Sequence, residues 1–371
     1  MHRTNDLATW LKQASEAGLA GDRPRLQLVL LSAIRSLRKT HPTVAESLGQ
    51  LLSQHIDETG SLRWKDAAPP PTEGEEGMSL VRLPTMGAAM PPVLPADIQS
   101  AADQFVTERQ EAGRLLKEGF APPSTLLLVG APGTGKTMLA RWLSSQLNVP
   151  LVVQDLATSI SSLLGKTGLN LRRTLDYARS HPCLLLLDEF DAIAKRRDDA
   201  VDLGELKRIV NVLLKELEDW PYESLIVAAT NHPDLLDPAI YRRFHVTLHL
   251  RLPDDAQRKV IMKRVLGHFE QELHEGIIDA CCNVLEGSSG SDIDRITQAA
   301  VRRHISCAVA LPETLIAEVV KSGGGKDVGG TLIRSLREVA HHQLTVRDIA
   351  RLVGKSASTV QHHLKKEISY A

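Results

Sequence analysis

The segment Gly130-Ala131-Pro132-Gly133-Thr134-Gly135-Lys136-Thr137 constrains this chain more than any other. It has the form GxxxxGK[ST], follows an aliphatic run and precedes a helical pattern, which is the context that a phosphate-binding loop requires. Its glycines let backbone N–H groups curl around phosphate oxygens, and the next helix contributes the positive end of its dipole. We predict that Lys136 reaches the β- and γ-phosphates of a nucleotide and that Thr137 ligates Mg²⁺. The predicted nucleotide-binding set is Gly130, Ala131, Pro132, Gly133, Thr134, Gly135, Lys136, Thr137 and Met138.

Four short aliphatic runs surround this loop in the sequence. They are Leu126–Val129, Leu151–Val153, Leu184–Leu187 and Leu225–Ala229, and helical stretches separate them. Continuous apolar runs of this length are typical of strands that are covered on both faces. The alternation predicts an α/β fold built around a parallel sheet.

The third run ends in two acids, Asp188 and Glu189. Ligands of open α/β sheets sit beyond the carboxyl ends of the strands, so we expect both acids at the phosphate site. Asp188 would complete the Mg²⁺ shell with Thr137, and Glu189 would orient or deprotonate the attacking water. Asn231 follows the next run and would contact the γ-phosphate or that water. The alternative for Asp188 and Glu189 is a capped strand end, and the alternative for Asn231 is a simple turn asparagine.

Overall composition excludes several classes of protein. The chain has 371 residues, 43% hydrophobic and 24% charged, which fits two or three soluble domains and excludes wholesale disorder. Its net charge of -1 argues against nucleic-acid binding along the whole length. The four cysteines form no CxxC pair and are expected to be buried thiols in a reducing compartment. Short apolar runs predict no membrane span, and we expect a cytoplasmic location.

Changes in pattern along the chain suggest six regions. Residues 1–65 are expected to form a helical bundle, 66–96 a proline-rich linker, 97–252 the α/β domain and 253–321 a helical region. A glycine-rich joint at 322–330 then precedes a helical segment at 331–371.

The C-terminal segment is basic, with seven Lys/Arg and three Asp/Glu at 331–371. Ala350, Gly354 and Val360 have the spacing at which a helix-turn-helix needs a small contact, a left-handed turn and a buried aliphatic residue. Ser356 would cap the second helix. A trihelical module that packs on protein is the equal alternative. The residues expected at DNA are Ser356, Ser358, Thr359, Gln361, His362, Lys365 and Lys366.

Together, the central segments resemble the AAA ATPases, specifically the clade that includes spastin, katanin and the bacterial membrane-bound protease. The resemblance covers residues 97–310. It rests on GAPGTGKT at 130–137, LLLLDE at 184–189, AATN at 228–231, LDPAIYRRF at 236–244 and GSSGSDI at 287–293. It implies a P-loop NTPase core with ATP and Mg²⁺, and a small helical lid at 253–321.

The same resemblance implies specific roles around a ring. Asn231 becomes the sensor-1 residue, and Arg242 and Arg243 become arginine fingers that act on ATP held by the neighbouring subunit. The protein would then work as a homo-oligomer, typically a hexamer. Taken alone, two adjacent arginines are more often solvated charge. The family's central-pore loop aligns with Leu163, Leu164, Gly165 and Lys166, where Leu163 replaces the usual aromatic residue; ordinary packing is the alternative.

The layout also resembles bacterial AAA ATPases encoded beside a subtilisin-like serine protease in plasmid-maintenance and phage-defence modules. That likeness lies in residues 163–177 and 187–199, and the chain itself contains neither GxSxG nor HExxH. Three roles follow as hypotheses: an ATPase that remodels or regulates a partner protein, a DNA-directed ATPase, and a nucleotide-switched scaffold with little motor output.

Overall fold

A computed structural model describes residues 4–20, 23–38, 40–60, 72–73, 78–79, 90–158, 167–192, 213–218, 220–236, 238–322, 328–339 and 344–365. The chain divides into two compact units. The first comprises Met1–Pro92, Ala96–Gly130 and Lys136–Leu250, and the second comprises Val93–Pro95, Ala131–Gly135 and Arg251–Ala371.

The first unit begins with three helices: α1 (Thr4–Leu19), α2 (Arg23–Leu37) and α3 (Pro42–Gly60). A short antiparallel pair follows, β1 (Thr72–Glu73) with β2 (Met78–Ser79), and then α4 (Ala96–Gln110) and α5 (Ala112–Lys117). The buried residues of the N-terminal helices, among them Leu31 and Ile34, form one cluster with Leu116 of α5 and with Tyr222. The three helices therefore pack on the body of the first unit.

The centre of the first unit is an all-parallel sheet of five strands. Its elements in chain order are β3 (Thr125–Gly130), α6 (Lys136–Gln146), β4 (Leu151–Asp155), α7 (Thr167–Ser180), β5 (Leu184–Asp188), β6 (Leu225–Thr230), α8 (Pro238–Tyr241) and β7 (Val246–Leu250). The strand order is β4-β5-β6-β3-β7. The predicted α/β fold and its four strands are confirmed, and β7 is a strand that the aliphatic pattern did not indicate.

The second unit contains seven α-helices within its described residues. They are α9 (Asp255–Leu266), α10 (Glu275–Val284), α11 (Gly290–Cys307), α12 (Leu311–Ser322), α13 (Val328–Val339), α14 (Val346–Val353) and α15 (Ala357–Lys365). One apolar core runs through all seven, from Met262 in α9 to Val360 in α15. Residues 328–330, assigned from sequence to the glycine-rich joint, are the first turn of α13 instead, and Gly329 and Gly330 are buried.

The structure also describes the environment of the cysteines and the length and polarity of the helices. Cys183, Cys281 and Cys282 are buried as predicted, but Cys307 is exposed because it lies at the end of α11, where residues 305–308 are all exposed. Within the described ranges, no helix is both long enough and apolar enough to cross a bilayer.

Candidate nucleotide site

The phosphate-binding loop follows β3 and leads into α6. Gly133 and Gly135 have φ values of +77° and +99°, a backbone region that glycine enters without steric penalty. The Thr134 hydroxyl donates to the Ala131 carbonyl at 2.8 Å, which closes the turn. The loop therefore has the conformation for which its glycines were singled out.

Lys136 lies at the start of α6 with its side chain largely buried. Its Nζ donates to the Gly130 carbonyl at 2.7 Å and to Asn231 Oδ1 at 2.6 Å. Burial lowers the pKa of Lys136, and the charges of Asp188 and Asp191 oppose that shift. The predicted lysine and the predicted sensor asparagine are thus in direct contact.

The metal-ligand candidates also meet at this edge of the sheet. Thr137 Oγ1 donates to Asp188 Oδ2 at 3.1 Å. A hydroxyl and a carboxylate supply the hard oxygen ligands that Mg²⁺ prefers, and Mg²⁺ usually keeps several waters besides. The donor set therefore fits Mg²⁺ bound together with a nucleotide.

Glu189 follows directly in a left-handed conformation, with φ of +52°. Few non-glycine residues adopt this region, and such residues concentrate at functional sites. Its backbone N–H donates to Asp188 Oδ1 at 3.0 Å, and its side chain is exposed. The second acid is therefore exposed, whereas Asp188 beside it is half-buried.

Sequence reasoning missed Asp191, which organises the next strand end. Its side chain is 3% exposed, and Oδ1 accepts hydrogen bonds from Thr230 Oγ1 at 3.2 Å and from the Asn231 backbone N–H at 3.1 Å. Thr230 Oγ1 in turn accepts from the His232 backbone N–H. Asp191 thus fixes the backbone from which Asn231 reaches Lys136. In the sequence, the only signal for Asp191 was that it follows closely after the acid pair Asp188 and Glu189 at the end of β5.

The two arginines differ in their surroundings. Arg242 is exposed, whereas Arg243 forms an ion pair with Glu218 at 3.0 Å. The backbone of the turn is held from β3, because the Thr125 hydroxyl donates to the Arg243 carbonyl at 3.1 Å and accepts from the His245 backbone N–H at 3.0 Å. Burial and the charge of Arg109 lower the pKa of His245 beside this turn. The candidate pore residues Leu163, Leu164, Gly165 and Lys166 lie outside the described residues.

The C-terminal candidates form a compact helix pair. Ala350 and Val360 are buried and Gly354 is left-handed with φ of +64°, as the helix-turn-helix spacing predicted. Ser356 Oγ accepts from the Thr359 backbone N–H at 3.2 Å and so caps α15, again as predicted. Of the candidate DNA contacts, Ser356, Ser358, Gln361, His362 and Lys365 are exposed, Thr359 is half-buried and Lys366 lies outside the described residues.

Comparison with known families matches two parts of the chain. Residues 126–252 match the ATPase family associated with various cellular activities (AAA). This part of the chain is therefore similar to an AAA ATPase domain. Members of this family are ATPases that use ATP with Mg²⁺. Residues 332–366 match the bacterial regulatory protein, arsR family.

Individual relatives resemble the chain over about half of its length. An uncharacterized AAA family ATPase, y4kL, from Sinorhizobium fredii is 36% identical over 54% of this chain. The ATP-dependent zinc metalloprotease FtsH 3 of Sphaerobacter thermophilus is 32% identical over 56%, and a putative 26S proteasome regulatory subunit homolog of Methanothermobacter thermautotrophicus is 32% identical over 50%. The matches span 60%, 47% and 50% of these relatives' own lengths.

Proposed function

We propose that this AAA domain binds ATP with Mg²⁺ and hydrolyses it. The observation behind the proposal is that Lys136, Thr137, Asp188 and Asn231 are hydrogen-bonded in two pairs at one edge of a parallel sheet. When ATP binds, the Lys136 ammonium would turn from Asn231 toward the β- and γ-phosphates. Asn231 would then contact the γ-phosphate or the attacking water. Thr137 and Asp188 would hold Mg²⁺, which would supply positive charge to the phosphates.

Glu189 is the residue that we assign to the attacking water. It is exposed beside Asp188, and a carboxylate at this place orients the water and accepts its proton. Asp188 Oδ2 already accepts from Thr137, so we assign Asp188 to the metal and the exposed Glu189 to the water.

The binding step is tested with Lys136→Ala. Removing a charged hydrogen-bond partner of the phosphates costs about 1.5–3 kcal/mol, so nucleotide affinity should fall roughly 10- to 150-fold. Lys321→Ala removes an exposed lysine of α12 and is the matched control. Affinity for a fluorescent ATP analogue and phosphate release would be measured together; wild-type behaviour of Lys136→Ala would exclude this site.

We further propose that the protein acts as a ring in which Arg242 reaches the ATP of the neighbouring subunit. Its exposure favours a role in trans, whereas Arg243 already pairs with Glu218 of its own chain. Mixing Arg242→Ala subunits with Lys136→Ala subunits should restore part of the turnover, because an intact loop then meets an intact arginine. Absence of rescue at every mixing ratio argues against catalysis in trans.

The partner of such a ring is a finer proposal. Remodelling or regulation of a protein, including a subtilisin-like protease in anti-phage defence, is supported by sequence resemblance in residues 163–177 and 187–199. Substituting Leu163 by Asp tests threading, since partner processing that survives this change needs no apolar pore contact. We place the protein in the cytoplasm, in keeping with its three buried thiols.

A second candidate function is binding of duplex DNA by α14 and α15. The supporting observations are the left-handed turn at Gly354, the capped second helix and exposed Arg347, Lys355 and Lys365 around it. Cations on this surface would contact phosphates, and the exposed polar side chains of α15 would face base edges.

Salt dependence tests this second function. If about three cations contact phosphates, the logarithm of the binding constant should fall with the logarithm of salt concentration at a slope near -3. Lys365→Ala should reduce that slope by about one. Full-length protein that does not retain duplex DNA at low salt would eliminate this function and favour a protein-binding module.

A further inference from the structure

We propose that nucleotide binding and duplex-DNA binding are thermodynamically linked in this protein through the second unit. The inference rests on both proposed functions above and concerns their regulation. Its basis is that the second unit contains the phosphate loop Ala131–Gly135 as well as the helix-turn-helix, so this loop and the candidate DNA site belong to one compact unit.

The first link joins the phosphate loop to α11. The Ser291 backbone N–H donates to the Gly133 carbonyl at 3.1 Å. The approach is close, since a Cβ at Gly133 would lie 2.5 Å from Ser289 Oγ and 3.0 Å from Ser291 Cβ. Ser289 is itself the N-cap of α11, where its Oγ accepts from the Asp292 backbone N–H. The helix N-terminus is therefore attached to the loop peptide that a phosphate would engage.

Gly133 has two roles that compete for one backbone geometry. Its N–H belongs to the set of loop donors that curl around phosphate, and its carbonyl already holds α11. A phosphate bound by these N–H groups would pull on the same residue whose carbonyl holds α11, and would therefore change the hydrogen bond between Ser291 and Gly133. A ligand shifts an equilibrium only through such differential contacts, and this hydrogen bond supplies one.

The second link is the continuous apolar core. Ile293 and Ile296 of α11 pack with Leu315 of α12, and the same cluster includes Ile349 of α14 and Val360 of α15, all buried. At the surface of this core, Arg351 of α14 pairs with Glu313 of α12 at 3.3 Å. Close-packed interiors transmit displacement because they have few voids to absorb it.

The helix-turn-helix is therefore a part of the lid fold. The described residues of 328–330 are helical, and Leu332, Ile333 and Leu336 of α13 are fully buried in the shared core. A movement of α11 that follows the phosphate loop thus moves α14 and α15 with it. By reciprocity, DNA on α15 must alter nucleotide affinity by the same factor.

The experiment measures both affinities on the full chain. Anisotropy of a labelled 30-base-pair duplex, a length of roughly three helical turns, is titrated with protein alone, with ADP and with ATPγS. Fluorescent analogues of ADP and of ATPγS are then titrated with and without saturating duplex. We expect at least one nucleotide to change DNA affinity by about 5-fold or more, and the duplex to change affinity for that nucleotide by an equal factor.

Ser291 offers a matched pair of variants. Ser291→Pro removes the N–H that reaches Gly133 at a first-turn position of α11, where proline is tolerated, whereas Ser291→Ala keeps it. The linkage should disappear in the proline variant and persist in the alanine variant. Linkage that survives Ser291→Pro with the wild-type factor overturns the route through Gly133.

The remaining outcomes separate the linkage from the functions beneath it. Duplex binding of equal affinity in every nucleotide state overturns the linkage and leaves both functions standing. Nucleotide binding without any duplex binding overturns the DNA function and the linkage together. Lack of nucleotide binding in the wild type overturns the ATPase proposal itself.

Discussion

Removal of the Asp191 carboxylate is the perturbation with the most definite expected magnitude. Asp191 and Thr230 are buried, and one carboxylate oxygen accepts from both Thr230 Oγ1 and the Asn231 backbone N–H. Asp191→Ala leaves two donors without that acceptor, and each hydrogen bond to a charged group is worth about 1.5–3 kcal/mol. We expect a loss of about 3 kcal/mol in the free energy of unfolding.

Turnover should fall further than stability alone explains. The Asn231 backbone is released from Asp191, and a displacement of roughly 1 Å in a positioning group costs about 100-fold in rate. Asp191→Asn is the matched control, because its amide oxygen still accepts both hydrogen bonds without the charge; we expect a loss near 1 kcal/mol and turnover within about 10-fold of wild type. Urea unfolding followed by circular dichroism, with phosphate release on the same samples, measures both. Equal behaviour of the alanine variant and wild type would refute the role assigned to Asp191.

Three further predictions use other described residues. Gly133→Ala should weaken ATP binding by about 10-fold or more, because a left-handed alanine is strained and its Cβ would meet Ser289 Oγ; equilibrium binding checks this. Thr125→Val should lower the free energy of unfolding by about 1–2 kcal/mol, because the turn at Arg243 loses its hydroxyl partner, and it should lower turnover. Thr125→Ser keeps the hydroxyl and should retain wild-type stability and turnover in the same unfolding and rate assays. In the native protein, a thiol reagent at pH 8 should modify Cys307 rapidly and the other three cysteines only on unfolding, as the time course of labelling would show. Burial raises the pKa of Cys183 to about 12, which leaves little thiolate there at that pH.

The sequence indicated the sheet because four of its strands are continuous aliphatic runs. β7 was missed since Val246-Thr247-Leu248-His249-Leu250 alternates instead, as expected for an edge strand with His249 exposed. Because parallel strands bring their carboxyl ends to one edge of the sheet, the sequence alone predicted Lys136 and Asn231 at one site. The structure has the two side chains hydrogen-bonded to each other.

Side-chain contacts between residues that are far apart in the sequence could not be predicted from the sequence pattern. The pairing of Asp191 with Thr230, and of Arg243 with Glu218, depends on how loops return to the sheet. Gly329 and Gly330 were assigned to a flexible joint for a related reason: glycine permits close packing as well as flexibility, and only their burial in the first turn of α13 distinguishes the two.

The central claim is tested most directly by Glu189→Gln, measured for ATP binding and hydrolysis in the presence and absence of Mg²⁺. Because the amide keeps the size of the side chain and loses its basicity, we predict ATP affinity within about 3-fold of wild type and hydrolysis reduced by roughly 100- to 10,000-fold. Wild-type hydrolysis should itself require Mg²⁺. Hydrolysis by Glu189→Gln at the wild-type rate, or loss of ATP binding in that variant, would contradict the assignment of this edge of the sheet as the site of ATP hydrolysis.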